Sequence, residues 1–162
     1  MPSYWVLVTT QDNYNITREL GFKTQGVKSK HRKRAQRMVP GDRVLYFIQS
    51  SKCFPATATI DSSAREEHEV IWVSHNGKED FPYRVDIHSN LVLEDREHLD
   101  GYQLGPGLHY VKRWAPEDWD LAFQDHLHLL SQRDFALIED EMRRVIRNRR
   151  DGTTREQGTF SQ

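Results

Sequence analysis

The chain has a single cysteine, Cys53, among its 162 residues, so an internal disulfide is excluded and a cysteine-based zinc site is nearly so. No apolar run approaches the roughly 18 residues that a membrane-spanning helix needs. The sequence also lacks a P-loop, a Gly-x-Ser-x-Gly elbow and the His-x-Glu with Pro-Cys-x-x-Cys pattern of zinc deaminases. We therefore expect a protein that is not an enzyme, does not contact a membrane, and needs neither a metal nor a cofactor.

Positive and negative charges nearly balance over the whole chain, which has a net charge of −1. One segment is nevertheless strongly basic. Residues 28–37 contain six Lys or Arg residues and no acid. A local basic patch on a neutral protein favours a confined contact with nucleic acid over general coating of it. The opening MPSYWVLVTT lacks a basic n-region and is predicted to be a strand, not a signal peptide. We expect a cytoplasmic protein, or one in the nucleoid or nucleus.

Short β-branched and aromatic runs alternate with turn signals along the chain. Tyr4–Thr10 is predicted to be a strand buried on both faces, and Val44–Ile48 a strand that follows the Pro40-Gly41-Asp42 turn. Helical spacing is found after Ser131, and residues 119–130 are also predicted to be a helix. These elements indicate an α+β domain over residues 1–147, followed by a disordered tail over residues 148–162.

Six blocks of sequence together resemble a known family. They are YWVLVTT, GVKSKH, VPGDRVLYF, FPYRVDI, KRW and LSQRDFALIE, in that order. The set resembles the EVE domain, which has a PUA-like fold related to the YTH readers of RNA. The resemblance implies a small curved mixed sheet or barrel flanked by helices, with a pocket that accepts one nucleobase. It also implies a reader of modified bases, such as methylated or hydroxymethylated cytosine, with DNA rather than RNA as the partner. We expect a stand-alone reader without a fused effector, and therefore a separate effector protein as a partner.

One departure from the related YTH readers bears on the base. In those proteins an aromatic ring that follows a Gly-Val pair forms part of a cage around the methylated base. Here Lys28 follows Gly26-Val27, which removes one wall of such a cage and counts against N6-methyladenine. The resemblance and the residue types together predict a base pocket formed by Thr9, Thr10, Val27, Ser29, Phe47 and Trp72. The predicted contacts to the nucleic-acid backbone are Lys28, Lys30, His31, Arg32, Arg34 and Arg113.

Each of these predictions has a plainer alternative. Tyr46 and Phe47 point to opposite faces of their strand, so at most one of them lines a given pocket. Trp72 lies in a polar neighbourhood and is either a pocket wall or a structural residue. The basic run is either a phosphate-binding surface or a solvated helix face. The alternative functions are an enzyme or enzyme subunit that acts on nucleic acid or nucleotides, and a binder of free modified nucleosides.

Overall fold

The structure, a computed structural model, describes residues 1–160, with side chains as far as residue 150. Nine strands form one curled mixed sheet with helices on both sides. The strands are β1 Tyr4–Thr9, β2 Thr24–Val27, β3 Arg43–Ile48, β4 Cys53–Phe54, β5 Ala56–Ile60, β6 Arg65–Glu66, β7 Tyr83–Val92, β8 Leu99–Asp100 and β9 Leu127–Leu130. The helices are α1 Gln11–Glu19, α2 Arg32–Arg37, α3 Gly101–Leu104 and α4 Gln132–Phe160. None of the described helices is both long and apolar enough to cross a membrane.

The main path of the sheet runs β2-β7-β5-β3-β1-β9, with the short strands β4, β6 and β8 attached at its margins. β1 and β3 are parallel, and their register places Thr9 opposite Ile48. Parallel neighbours need a long crossover, which α1, β2 and α2 provide here. Because the two strands run the same way, both end at the same edge of the sheet.

Strand alternation sends the apolar side chains of β1 and β3 into two separate cores. Trp5 and Tyr46 pack with Tyr14 of α1 on one face. Val8 and Phe47 pack on the other face, beneath α4 and a 3₁₀ segment over Pro116–Phe123. The prediction that β1 is buried on both faces is confirmed.

Two features differ from the sequence prediction or extend beyond it. Residues 119–130 do not form a helix, because the 3₁₀ segment ends at Phe123 and β9 then pairs antiparallel with β1. In this strand Leu127 packs in the first core and Leu130 in the second. α4 extends to Phe160, so this helix takes in residues 148–160 of the predicted tail. Residues 161 and 162 lie outside the described residues, and the disorder of the tail stays a prediction.

Candidate nucleic-acid interface

A polar cleft of about 220 Å³ lies where the parallel strands β1 and β3 end. Open sheets place ligands at the carboxyl ends of parallel strands, since the connecting segments diverge there. Thr9 and Thr10 line the cleft at the end of β1, and Gln49 lines it just past β3. The Gln49 N–H donates to the Thr9 carbonyl over 3.0 Å, which keeps the two strand ends together.

The first turn of α1 connects the cleft to the loop between β6 and β7, residues 67–82, called the β6–β7 loop below. Thr10 caps the helix, its Oγ1 accepting from the Asn13 N–H over 3.2 Å. The Asn13 side chain then holds Val73 at both backbone groups, donating to its carbonyl at 2.9 Å and accepting from its N–H at 2.8 Å. This two-point contact fixes the β6–β7 loop as one wall of the cleft.

Trp72 anchors the same loop from below. Its indole Nε1 donates to Thr17 Oγ1 over 2.9 Å, and the Arg84 guanidinium lies 5.3 Å from its ring centroid. The ring is only 4% exposed. It packs so closely on Gly26 of β2 that a Cβ there would lie 2.5 Å from two ring carbons. Trp72 lines a neighbouring pocket of about 350 Å³ beneath the loop, not the cleft itself.

The aromatic wall of the cleft is Phe81, at the end of the β6–β7 loop. Lys28 Nζ lies 5.9 Å from the Phe81 ring centroid and 3.0 Å from a carboxylate oxygen of Glu79. Lys28 therefore lies at the cleft, as its place after Gly26-Val27 predicts, but it is paired with a loop carboxylate. This ion pair counts against the prediction that Lys28 contacts the phosphates of the nucleic-acid backbone.

The floor of the cleft includes Asp125 and His126, which precede β9. The His126 Nδ1 faces the Val8 carbonyl at 3.1 Å. Burial and the nearby Lys28 charge lower the pKa of His126 to about 3, so the ring is neutral at physiological pH. Burial pushes the pKa of Asp125 upward, but the His126 N–H, His31 and Lys30 outweigh it and hold that pKa at about 2.

Asp125 also determines where the basic segment lies. Its Oδ1 is 2.9 Å from His31 Nε2 and 3.4 Å from Lys30 Nζ, which brings the start of α2 to the edge of the cleft. His31 is 8% exposed, and burial lowers its pKa against the opposing influence of Asp125. Arg34 donates to the Leu127 carbonyl. His31 is therefore a buried support of the cleft, and the prediction that it contacts phosphate is corrected.

The remaining basic side chains of α2 face outward. Arg32, Lys33 and Arg37 are exposed, and within the described residues none of them forms an ion pair. These three cations, called the α2 cations below, form a positive surface that begins at the cleft edge. Of the predicted backbone contacts, Arg32 alone belongs to this set.

Four other predicted residues lie away from the cleft. Phe47 is fully buried in the second core, its ring 5.1–5.9 Å from Phe54, Phe123 and Trp119. The prediction that Phe47 lines the pocket is wrong, because β3 is central and both of its faces are covered. Val27 is likewise fully buried in the first core. Ser29 and Arg113 are exposed outside the cleft.

Arg113 is held by its neighbour. Its guanidinium carbon lies 4.3 Å from the ring centroid of Trp114, a stacking contact within the segment that precedes the 3₁₀ stretch. Trp114 in turn packs at the margin of the second core. Arg113 is therefore an exposed residue stacked on its neighbour, and it does not line the cleft.

The single thiol has a histidine partner that sequence reasoning did not assign. Cys53 Sγ lies 3.6 Å from His98 Nδ1 and 3.0 Å from the Ser51 hydroxyl. Burial raises the pKa of Cys53 and lowers that of His98, so both groups are neutral. A neutral, buried thiol is a poor nucleophile, which favours a structural role for this pair. Within the described part of the chain, no three His, Cys, Asp or Glu residues are grouped to hold a metal.

Comparison with known proteins identifies the family. The EVE domain model matches residues 3–101, more than half of the chain. The chain therefore belongs to the EVE domain family, as its sequence blocks predict. The UPF0310 protein PH1033 of Pyrococcus horikoshii is 24% identical over 150 residues, covering 85% of this chain and 97% of that protein.

Solved structures confirm the fold. A complex of the YTH domain-containing protein mmi1 with RNA has a TM-score of 0.67 at 9% identity, covering 91% of this chain and 85% of that one. The YTH domain of Zygosaccharomyces rouxii MRB1, in complex with N6-methyladenosine RNA, has a TM-score of 0.61 at 11% identity and covers 87% and 86%. A hypothetical protein from Leishmania major has a TM-score of 0.60 at 16% identity and covers 89% and 96%. The curled α+β sheet of this chain is thus similar to that of YTH domains.

Proposed function

We propose that this protein binds nucleic acid and accepts one modified base in the cleft, with the α2 cations holding the adjacent backbone. The observation that carries the proposal is that Asp125 of the base-sized cleft contacts Lys30 and His31, which directly precede the exposed cations of α2. The cleft volume of about 220 Å³ is below the roughly 300–1,000 Å³ of pockets for drug-sized ligands. A single ring system is the ligand that such a space favours. Two similar structures are complexes, of mmi1 with RNA and of MRB1 with N6-methyladenosine RNA, and they support the same class of ligand.

Within that class we propose a modified cytosine in DNA. The cleft has one aromatic wall, Phe81, and Lys28 stands where YTH readers supply a second ring. Stacking on one ring recovers about 1–3 kcal/mol, comparable to the few kcal/mol lost when a base leaves its stack. A small pyrimidine needs less enclosing surface than a purine, so the cleft suits cytosine better than adenine.

Fluorescence anisotropy at one fixed salt concentration tests the proposal. The panel consists of matched DNA and RNA oligonucleotides carrying cytosine, 5-methylcytosine, 5-hydroxymethylcytosine or N6-methyladenine. We expect tighter binding to a modified-cytosine member. One buried methyl contributes only about 0.8 kcal/mol, so a preference of about fourfold over unmodified cytosine is expected. Equal affinity across the panel would remove base reading and leave only electrostatic attraction.

A charge series tests the proposed backbone contact. Replacing the α2 cations together by Gln should flatten the slope of log affinity against log salt by up to about 0.9 per cation for duplex DNA. The matched control replaces Arg133, Arg144 and Arg147 of α4 by Gln, since none of these lines the cleft. An identical slope change in both variants would show that net charge, not the α2 surface, governs binding.

The alternative functions use the same cleft. Competition with free modified nucleoside distinguishes a nucleoside binder. For such a protein, free nucleoside displaces the labelled oligonucleotide at concentrations near the Kd of the oligonucleotide. Mass spectrometry of the incubated oligonucleotide distinguishes an enzyme, because a reaction changes its mass. We expect no mass change, since the neutral Cys53–His98 pair is unsuited to nucleophilic attack. We expect free nucleoside to displace the oligonucleotide only at concentrations well above the oligonucleotide Kd, because a nucleoside lacks the phosphates that the α2 cations would contact.

A further inference from the structure

His126 is a buried histidine with an unused ring nitrogen at the cleft. The residue is 4% exposed, and its Nε2 has no hydrogen-bond partner among the described residues. A buried polar atom without a partner is destabilising, so such atoms in folded proteins usually serve a ligand, an ion or a water molecule. The backbone of His126 is fixed independently, because its carbonyl accepts from the Val8 N–H over 2.8 Å.

The protonation of the ring follows from its other nitrogen. Nδ1 lies 3.1 Å from the Val8 carbonyl, which can only accept a hydrogen bond. Nδ1 therefore carries the proton. Since the buried ring is neutral, Nε2 has a free lone pair and can only accept.

Other polar groups that line the cleft include both acceptors and donors. Glu79 and Asp125 contribute carboxylate oxygens, and Gln49 and Gln124 contribute side-chain amides that can donate as well as accept. The Asn13 amide uses its oxygen and one N–H on Val73. The neutral His126 Nε2 differs from the amides because it can only accept, so a ligand group that meets it must present a donor.

Resting on the proposed function, we propose that His126 Nε2 selects bases that carry an exocyclic amine on the Watson–Crick edge and rejects those with a carbonyl in its place. The amine of cytosine donates to Nε2 and satisfies it. The carbonyl oxygen of thymine or uracil would meet the lone pair of Nε2 and leave both acceptors unsatisfied. His126 is therefore the residue that distinguishes 4-amino from 4-oxo pyrimidines.

Paired oligonucleotides that differ only at one base test this selection. 5-Methylcytosine and thymine share the methyl group and differ in the amine and carbonyl, so the pair isolates the proposed contact. We expect wild-type protein to bind the 5-methylcytosine member about tenfold or more tightly, the equivalent of leaving one buried polar group unpaired. His126→Leu should bring that ratio close to one, and His126→Gln, which keeps an acceptor, should restore part of it. His109→Leu, at an exposed position outside the cleft, is the matched control and should keep the ratio.

A nitrogen NMR measurement on the wild-type protein supplies a readout that does not depend on any variant folding. In long-range ¹H–¹⁵N spectra at pH 7, we expect His126 Nε2 to resonate as an unprotonated nitrogen and to shift on addition of 5-methylcytidine but not 5-methyluridine. A protonated Nε2, or equal shifts with both nucleosides, would overturn the proposal.

The outcomes separate this inference from the proposed function. Tight binding to modified oligonucleotides with equal affinity for 5-methylcytosine and thymine refutes the role of His126 and leaves the reader function in place. Failure to bind any member of the panel, with no shift by either nucleoside, refutes both. A tenfold ratio that survives His126→Leu assigns the selection to a different group and refutes this proposal alone.

Discussion

Replacing Gly26 by Ala tests whether the β6–β7 loop is held by close packing of Trp72 on β2. A Cβ at Gly26 would lie 2.5 Å from Trp72 Cε3 and Cζ3 and 2.9 Å from Phe81 Cβ. Ordinary carbon contacts are about 3.5–4.0 Å, so the indole must move by roughly 1 Å. The ring cannot move freely, because its Nε1 donates to Thr17 Oγ1.

The size of the effect follows from two opposing contributions. Overpacking a close contact costs about 1–3 kcal/mol, and the lower backbone entropy of unfolded Ala returns about 0.4–1 kcal/mol. We therefore expect the free energy of unfolding to fall by about 1–2 kcal/mol. For a chain of this length, that corresponds to a Tm lower by about 2–8 °C.

Urea and thermal unfolding of two glycine variants provide the measurement. Gly107→Ala is the matched control, since a Cβ there meets nothing within 4 Å. Trp72→Leu in the Gly26→Ala background should recover part of the added loss, because it removes the ring that clashes. Equal stability of Gly26→Ala and wild type, or an effect as large in Gly107→Ala, would refute the packing argument.

Three further predictions concern the supports of the cleft. Burial holds the pKa of His126 at about 3 and lowers that of the neighbouring His31, so the folded state binds fewer protons than the unfolded state below about pH 6.5. The free energy of unfolding should then fall as the pH decreases from about 6.5, by up to about 1.4 kcal/mol per pH unit for His126. Urea titrations between pH 7 and 4.5 measure this, and a free energy that does not change with pH would contradict it. Thr10→Ala should cost about 0.5–2 kcal/mol through loss of the α1 cap, and Thr10→Ser should cost little. Asn13→Ala should speed hydrogen exchange at the Val73 amide and destabilise by about 1–3 kcal/mol, whereas unaltered exchange would show that the contact with Val73 does not hold the loop.

The parts of the fold that depend on local pattern could be predicted from the sequence. The aromatic and β-branched runs predicted β1 and β3, and the ordered blocks predicted the EVE family. Thr9 and Thr10, both predicted for the base pocket, line the cleft at the end of β1, and their contact with a base stays a prediction.

Contacts between distant segments account for what was missed. Alternation along β3 shows that Phe47 faces one side of the sheet, but not that α4 and the 3₁₀ segment cover that side. Lys28 and Glu79 are 51 positions apart in the sequence, so their pairing was invisible in the basic run. The place of His126 at the cleft was not predicted, because residues 119–130 were predicted to be a helix and the short apolar run Leu127–Leu130 fits a helix or a strand equally well.

NMR titration of labelled protein with a 5-methylcytosine oligonucleotide and its unmodified counterpart tests the central claim most directly. The account predicts that both oligonucleotides shift the α2 cations and also Thr9, Thr10, Lys28 and His126 at the cleft, with the cleft shifts of the modified oligonucleotide half-saturated at about a fourfold lower concentration. Shifts at α2 alone, or at a surface away from the ends of β1 and β3, would contradict the claim that the cleft receives the base.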